Sequence, residues 1–197
     1  VAVALSGRQL TGSRDKRRLI LRLRARERGL HAALRNDDLT GLANRLGFSE
    51  QLSRHLATVP RPAVALAVLD INDFKLINDN HGHGTGDEVL RVVAARLKAA
   101  VRTNDVVARL GGDEFAVIAP GLRSGDYDAF AQRLLDAFAD PVVLGARRFN
   151  VSTSVGIVTA DHADHAEELL AHADAAMYQA KERKGQGSQV SQLSNAD

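Results

Sequence analysis

The chain has 197 residues, 45% of them hydrophobic and 25% charged, with a net charge of +2. That is material for one well-packed core and too little for two ordinary domains. It holds no cysteine, which excludes disulfides and thiolate metal sites, and no run near the roughly 18 consecutive apolar residues of a membrane span.

The charge is unevenly spread. Residues 1–36 hold ten Lys/Arg against two acids, whereas residues 37–197 hold sixteen against twenty-two. The acidic body argues against broad binding to a nucleic-acid backbone, which needs a basic face. The basic leader is suited to meeting anionic lipid or nucleic acid, and the plainer reading is a solvated helix. The first residue is Val and no signal peptide with a cleavage site is evident, so a piece of a longer parent is expected. Any membrane attachment would lie in that missing parent region.

In chain order, the leader 13–34 has no Pro and a single Gly29. Leu19, Leu23, Leu30 and Ala33 follow heptad-like spacing, with Arg26 spoiling one position, which predicts a helix with a short two-stranded seam. Residues 46–56 read as a helix closed by Pro60 and Pro62. Residues 63–69 are continuously apolar, as a strand covered on both faces should be. A helix is predicted over 87–101 from Val89, Leu90, Val93 and Leu97. A hairpin over 105–119 follows, then a helix over 126–138, a strand over 149–158 and a helix over 166–181. The Gln/Ser-rich end from Gly185 is read as a short last strand followed by a mobile tail. Helices interspersed with strands and an antiparallel hairpin give an α+β sandwich. The domains are expected at 1–36 (leader), 37–190 (body) and 191–197 (tail).

The chemistry concentrates in two places. Gly111-Gly112 joins the hairpin strands, because glycine enters the positive-φ region of a tight turn without strain. That turn delivers Asp113 and Glu114 to the hairpin tip. Asp70-Ile71-Asn72-Asp73 follows the apolar strand. Carboxylates from a strand end and a neighbouring hairpin are suited to holding Mg²⁺ against a nucleotide phosphate. The segment Gly82-His83-Gly84-Thr85-Gly86-Asp87 lacks the Lys-Ser/Thr pair of a P-loop. His81 and His83 have no third ligand nearby, so zinc is not expected.

Five ordered motifs carry a resemblance. They are Asp37-Asp38-Leu39-Thr40-Gly41-Leu42-Ala43-Asn44-Arg45, then Asp70 through Asp87, Arg102-Thr103-Asn104-Asp105, Gly111-Gly112-Asp113-Glu114-Phe115, and Ala173-Asp174-Ala175-Ala176-Met177-Tyr178-Gln179-Ala180-Lys181. Residues 37–186 resemble the GGDEF family of diguanylate cyclases. The resemblance implies a palm-like, ferredoxin-related sandwich with a mainly antiparallel central sheet flanked by helices, preceded by an N-terminal signalling helix. It implies condensation of two GTP into cyclic di-GMP and two pyrophosphates by a cytoplasmic homodimer that binds no nucleic acid. Two Mg²⁺ (or Mn²⁺) ions per site are implied, on Asp70, the Ile71 carbonyl and Asp113, with Glu114 as ligand or base. Asn78 and Asp87 are implied as guanine readers. A carboxylate takes guanine N1–H and its amine, whereas adenine presents an acceptor there.

Phe74 and Lys75 through their amides, and Lys181 through its charge, are the implied phosphate contacts. Arg102 and Asp105 are the implied site of inhibition by product. Two departures stand out: Asn72, where the family pattern has Asp, and Gly185, where many relatives place a basic residue, here displaced to Arg183 and Lys184. A catalytically silent receptor for cyclic di-GMP or GTP is the alternative. A cyclase with another product, such as a mononucleotide cyclase or a mixed purine dinucleotide, is a third reading, against which Asp87 weighs.

Overall fold

The computed structural model describes residues 16–21, 33–58, 63–122, 126–160, 165–182 and 189–194. The chain divides into two compact units, 1–35 and 36–197. In the first, residues 16–21 and 33–35 are helical, and Leu19 and Leu21 are exposed. The other seam positions, Leu23 and Leu30 with Arg26 between them, lie outside the described residues.

The second unit is built on a five-stranded sheet with strand order β2-β3-β1-β6-β7. Its strands are β1 (Val64–Ile71), β2 (Val106–Gly111), β3 (Glu114–Pro120), β6 (Thr153–Ala160) and β7 (Gln189–Ser194). All neighbours run antiparallel except β6 and β7, which pair parallel. The helices are α1 (Arg45–Leu56), α2 (Phe74–His81), α3 (His83–Ala100), α4 (Tyr127–Asp136) and α5 (Ala166–Glu182). A separate two-stranded hairpin, β4 (Val142–Leu144) with β5 (Arg147–Phe149), lies between α4 and β6 in sequence. Among the described residues no helix is long and apolar enough to cross a membrane.

Strand β1 explains the layering. All eight of its residues are buried, and its side chains alternate between two cores. Ala65, Ala67, Leu69 and Ile71 pack with Val89, Leu90, Val93 and Leu97 of α3 and Phe130 and Leu134 of α4. Val64, Leu66 and Val68 pack with Phe48 and Leu52 of α1 and Leu169, Ala173 and Met177 of α5. Helices therefore cover both faces of a mainly antiparallel sheet, as the sandwich reading expects.

Three boundaries differ from expectation. Helix α3 begins at His83, four residues before Asp87, because Gly84 and Gly86 are helical despite their poor propensity. The strand expected over 149–158 is two: β5 ends at Phe149 and β6 starts at Thr153. Residues 191–194, assigned to a mobile tail, belong to β7, which pairs with β6 as far as Thr159↔Ser194. Residues 195–197 lie outside the described residues.

Candidate functional site

The expected hairpin forms, but its loop is Gly112-Asp113 rather than Gly-Gly, and Glu114 is the first residue of β3 rather than part of the tip. Gly111 pairs with Glu114, leaving Gly112 and Asp113 as the two loop residues. Gly111 (φ +153°) and Gly112 (φ +52°) take up the positive-φ backbone that the turn requires, next to a register shift between Arg109 and Gly111. On the next strand, Asp70 pairs with Glu114 on one side and Ser154 on the other. The Ile71 N–H donates to the Asp113 carbonyl at 3.2 Å, tying the turn to the end of β1. The sheet thus brings Asp70, Ile71, Asp113 and Glu114 to one edge.

A cation faces them. Lys181, in the last turn of α5, places its Nζ 2.8 Å from Asp70 Oδ2. Burial pushes the Asp70 carboxyl above the ordinary carboxylate range; the nearby Asp113 and Glu114 charges add to this, and Lys181 opposes it. Among the described residues no three His, Cys, Asp or Glu side chains converge into a ready-made cage. Mg²⁺ does not need one, since one or two carboxylates with substrate phosphates and water suffice. Two carboxylates and a backbone carbonyl, all hard oxygens where negative charge is crowded, fit such an ion.

The remaining predicted residues fall around this edge. Asp73 adopts the left-handed conformation (φ +55°, ψ +22°) and precedes α2 without capping it. Aspartate, whose short polar side chain can hydrogen-bond locally, tolerates that region better than most residues. Helix α2 starts at Phe74, so the Phe74 and Lys75 amides are among the four N–H groups without intrahelical partners. Phe74 is buried and Lys75 exposed. Asn78 is on α2 and Asp87 on α3, whose second turn it occupies. Asp87 therefore sits farther from the helix start than an acid stabilised by the first-turn dipole.

Arg102 and Asp105 form a turn of their own. The Asp105 carboxylate accepts from the Arg102 backbone N–H at 2.8 Å, and the Asp105 N–H donates back to the Arg102 carbonyl at 3.0 Å. The exposed Arg102 guanidinium is thus not spent on an ion pair with Asp105. The two residues, with Lys98 and the turn 41–43, line a cavity of about 430 Å³. His81 packs edge-on against Phe149, with ring centroids 5.1 Å apart. Arg183, Lys184 and Gly185 lie outside the described residues.

The Asn72 departure has a structural explanation. Its amide Nδ2 donates to Ser152 Oγ at 3.1 Å and its Oδ1 accepts from Ser154 Oγ at 2.8 Å. An aspartate could not donate to Ser152. Asn72 ties the end of β1 to the start of β6 through these two serines.

Two arginines were missed. Arg109 donates Nε and Nη2 to the Gly112 carbonyl at 2.9 and 2.7 Å and Nη1 to both Asp37 oxygens at 3.2 and 3.1 Å. Arg45 donates Nε to the Leu110 carbonyl at 3.3 Å and lies 3.5 Å from Glu114 Oε2. The same Arg45 offsets part of the rise that partial burial imposes on Asp174. The signal was present in the spacing Asp37-x-x-Thr40, where Asp37 Oδ1 accepts from the Thr40 amide and hydroxyl at 2.9 and 2.6 Å.

Burial alone would raise the Asp37 carboxyl. The Thr40 hydroxyl and amide, with the Arg109 guanidinium, outweigh it and hold Asp37 below the ordinary value. A depressed carboxyl contributes stability above its unfolded pKa and loses it as pH falls through the folded one. Asp37→Asn is therefore expected to cost about 1–2 kcal/mol at pH 7, the worth of charged hydrogen bonds. Denaturation midpoints should show that gap closing as pH falls below the ordinary carboxylate value of about 4. A gap independent of pH would refute the ionic role.

Comparison with known proteins shows the family. The family described as "Diguanylate cyclase, GGDEF domain" matches residues 34–187. The chain belongs to this family. Its GGDEF domain is 43% identical over 159 residues to the diguanylate cyclase TpbB of Pseudomonas aeruginosa, covering 78% of this chain and 36% of that protein. It is 39% identical over 158 residues to the cyclic di-GMP phosphodiesterase NbdA of the same species, covering 77% of this chain and 20% of that one. The chain thus spans well under half the length of these relatives. Among solved structures, the coiled coil and GGDEF domain of DgcB from Caulobacter crescentus, in complex with c-di-GMP, aligns with a TM-score of 0.81 at 27% identity, over 91% of this chain and 96% of that one. The TpbB GGDEF domain aligns with a TM-score of 0.73 at 38% identity, over 79% and 94%.

Proposed function

We propose that this GGDEF domain is a diguanylate cyclase, joining two GTP molecules into cyclic di-GMP with release of two pyrophosphates. The observation that carries the reading is the edge where Asp70, ion-paired with the Lys181 ammonium, lies close enough to Asp113 and Glu114 to feel their charge. In the reaction, the 3′-oxygen of one GTP bonds to the α-phosphorus of the other as the bond to pyrophosphate breaks. The hydroxyl proton leaves with solvent or a base, the role Glu114, registered beside Asp70, would take. Asp70, the Ile71 carbonyl and Asp113 would hold two Mg²⁺ (or Mn²⁺) ions, which lower the hydroxyl pKa and neutralise phosphate charge.

The protein's own groups do the positioning. The uncapped Phe74 and Lys75 amides open a helix N-terminus to phosphate oxygens. Lys181 supplies a charge that can pass from Asp70 to a phosphate. Asp87 accepts from guanine N1–H and the exocyclic amine, while the Asn78 amide donates to O6 or N7. Each domain holds one GTP, so the two attacks need two domains facing across a two-fold axis.

Chromatography of products after incubation with GTP and Mg²⁺ tests this. Cyclic di-GMP is expected, with specific activity falling on dilution as the homodimer separates. Constant specific activity with a monomeric mass would overturn the dimer mechanism. The alternative, a silent receptor, draws support from the similarity to a phosphodiesterase and from the cavity beside Arg102. Product binding without turnover would establish it. For the cyclase, Arg102→Ala should leave the initial rate near normal and weaken inhibition by added cyclic di-GMP about tenfold, the loss of one charged hydrogen bond. Unchanged inhibition would return Arg102 to a plain surface residue.

A further inference from the structure

Helices α2 and α3 meet at a single residue, Gly82, whose φ of +83° turns the chain sharply. Asn78 lies four residues before it and Gly86 four residues after. The Gly82 N–H donates to the Asn78 carbonyl at 2.8 Å, and the Gly86 N–H to the Gly82 carbonyl at 3.3 Å. The corner thereby sets the Asn78 side chain against the Gly86 backbone. A Cβ at Gly86 would stand 2.0 Å from Asn78 Oδ1, 3.0 Å from its Cγ and 3.1 Å from Phe74 Cζ. The Asn78 amide occupies the space that any side chain at 86 would fill.

That amide has a defined polarity. Asn78 Oδ1 is buried with no hydrogen-bond partner. Turning the amide over would bury the NH₂ group there instead, leaving two donors unsatisfied where one acceptor now is. The oxygen therefore faces Gly86, and the NH₂ group takes the other branch of the amide. Resting on the guanine-nucleotide reading above, we infer that Gly86 is a specificity-determining residue: its missing side chain seats the Asn78 amide with the NH₂ outward, as a donor to a purine acceptor. Guanine offers an acceptor at O6, where adenine carries an amine donor and would be repelled.

Gly86→Ala separates this from a structural role. Asn78 is the end of a mobile side chain and can be displaced, and alanine is the better helix former in α3. The variant should keep or raise its melting temperature while losing the base reader. Gly84→Ala is the control, since a Cβ there meets nothing within 4 Å. The probes are the non-cleavable α,β-methylene analogues of GTP and ATP, titrated into the full chain by calorimetry. Gly86→Ala and Asn78→Ala should each weaken the guanosine analogue about tenfold, one lost hydrogen bond, and leave the adenosine analogue bound no more weakly than by the parent, because the donor that repels its amine is gone. The double variant should be no weaker than Asn78→Ala, and Gly84→Ala should match the parent.

A parent chain that fails to bind the guanosine analogue overturns the functional reading, and this inference with it. A parent that binds beside a Gly86→Ala variant that binds equally well overturns the inference alone. So does a double variant much weaker than Asn78→Ala, which would show Gly86 acting by another route. If Gly86→Ala does not fold, the double variant, which removes the obstructing amide, should; failure of both overturns the assignment.

Discussion

Asp113→Ala is expected to abolish formation of cyclic di-GMP while leaving the domain folded. Asp113 is half-buried in a two-residue loop, and its backbone carbonyl, the acceptor for the Ile71 N–H, survives the change. Substitutions at such sites usually move stability by about 0.5 kcal/mol or less. The carboxylate is different. It supplies one of the few hard oxygens at the edge shared with Asp70, and stabilisation of transferring phosphates by bound metal is worth several kcal/mol. A loss of about 4 kcal/mol is about a 10³-fold fall in rate. Product chromatography and thermal melting on the same sample check both halves. Undiminished turnover refutes the role given to Asp113. Lost turnover with lost folding would make Asp113 structural. Retained affinity for the non-cleavable GTP analogue is also expected, because the proposed base readers Asn78 and Asp87 are carried by α2 and α3 and not by the turn itself.

How much of this could be seen in the amino acids follows from what each feature depends on. The glycine turn and most of β1 are local: positive φ at Gly112 and the apolar run to Leu69 show directly in composition, whereas the extension of β1 through the buried Asp70 to Ile71 does not. Helix α2 did not show, because its sequence, FKLINDNH, holds one buried residue and no apolar stripe. It exists because the corner at Gly82 packs it on α3. The early start of α3 was hidden for a related reason. Gly84 and Gly86 are weak helix formers, and Gly86 is kept by its contact with Asn78, which no local rule anticipates. Arg109 and Arg45 were missed because their partners lie up to 72 residues away. Their task is to hold the turn: Arg109 grips the carbonyl before Asp113 and Arg45 the carbonyl before Gly111. Asn72 looked like a missing carboxylate until Ser152 and Ser154, about 80 residues on, were seen to need a donor and an acceptor from it.

The same dependence on distant partners sets the largest expected loss of stability, at Gly156. This residue sits in the middle of β6, paired with Val68 of β1 on one side and Ser191 of β7 on the other. A Cβ there would lie 2.2 Å from the Met177 nitrogen, 2.3 Å from the Ala173 carbonyl oxygen and 2.8 Å from the Met177 Cα. These are backbone atoms of α5, so no side-chain rotation relieves the overlap, and the strand is held from both sides. Helix α5 must retreat, loosening Leu169, Ala173 and Met177 from the core they share with Val64, Leu66 and Val68. Overpacking costs about 1–3 kcal/mol when side chains can adjust, and more here, where they cannot. Gly156→Ala should therefore lower the melting temperature by about 6–12 °C, taking about 3 kcal/mol at 2–4 °C each. An unchanged melting temperature would show that strand and helix are not in such close contact. The loss should reach function before it reaches folding. Lys181 is one turn beyond Met177 on the displaced helix, and its Nζ meets Asp70 at 2.8 Å. An ångström of retreat moves that charge off the carboxylate edge. Turnover measured well below the melting transition should then fall although the protein is still folded, whereas a purely global destabilisation would leave it intact.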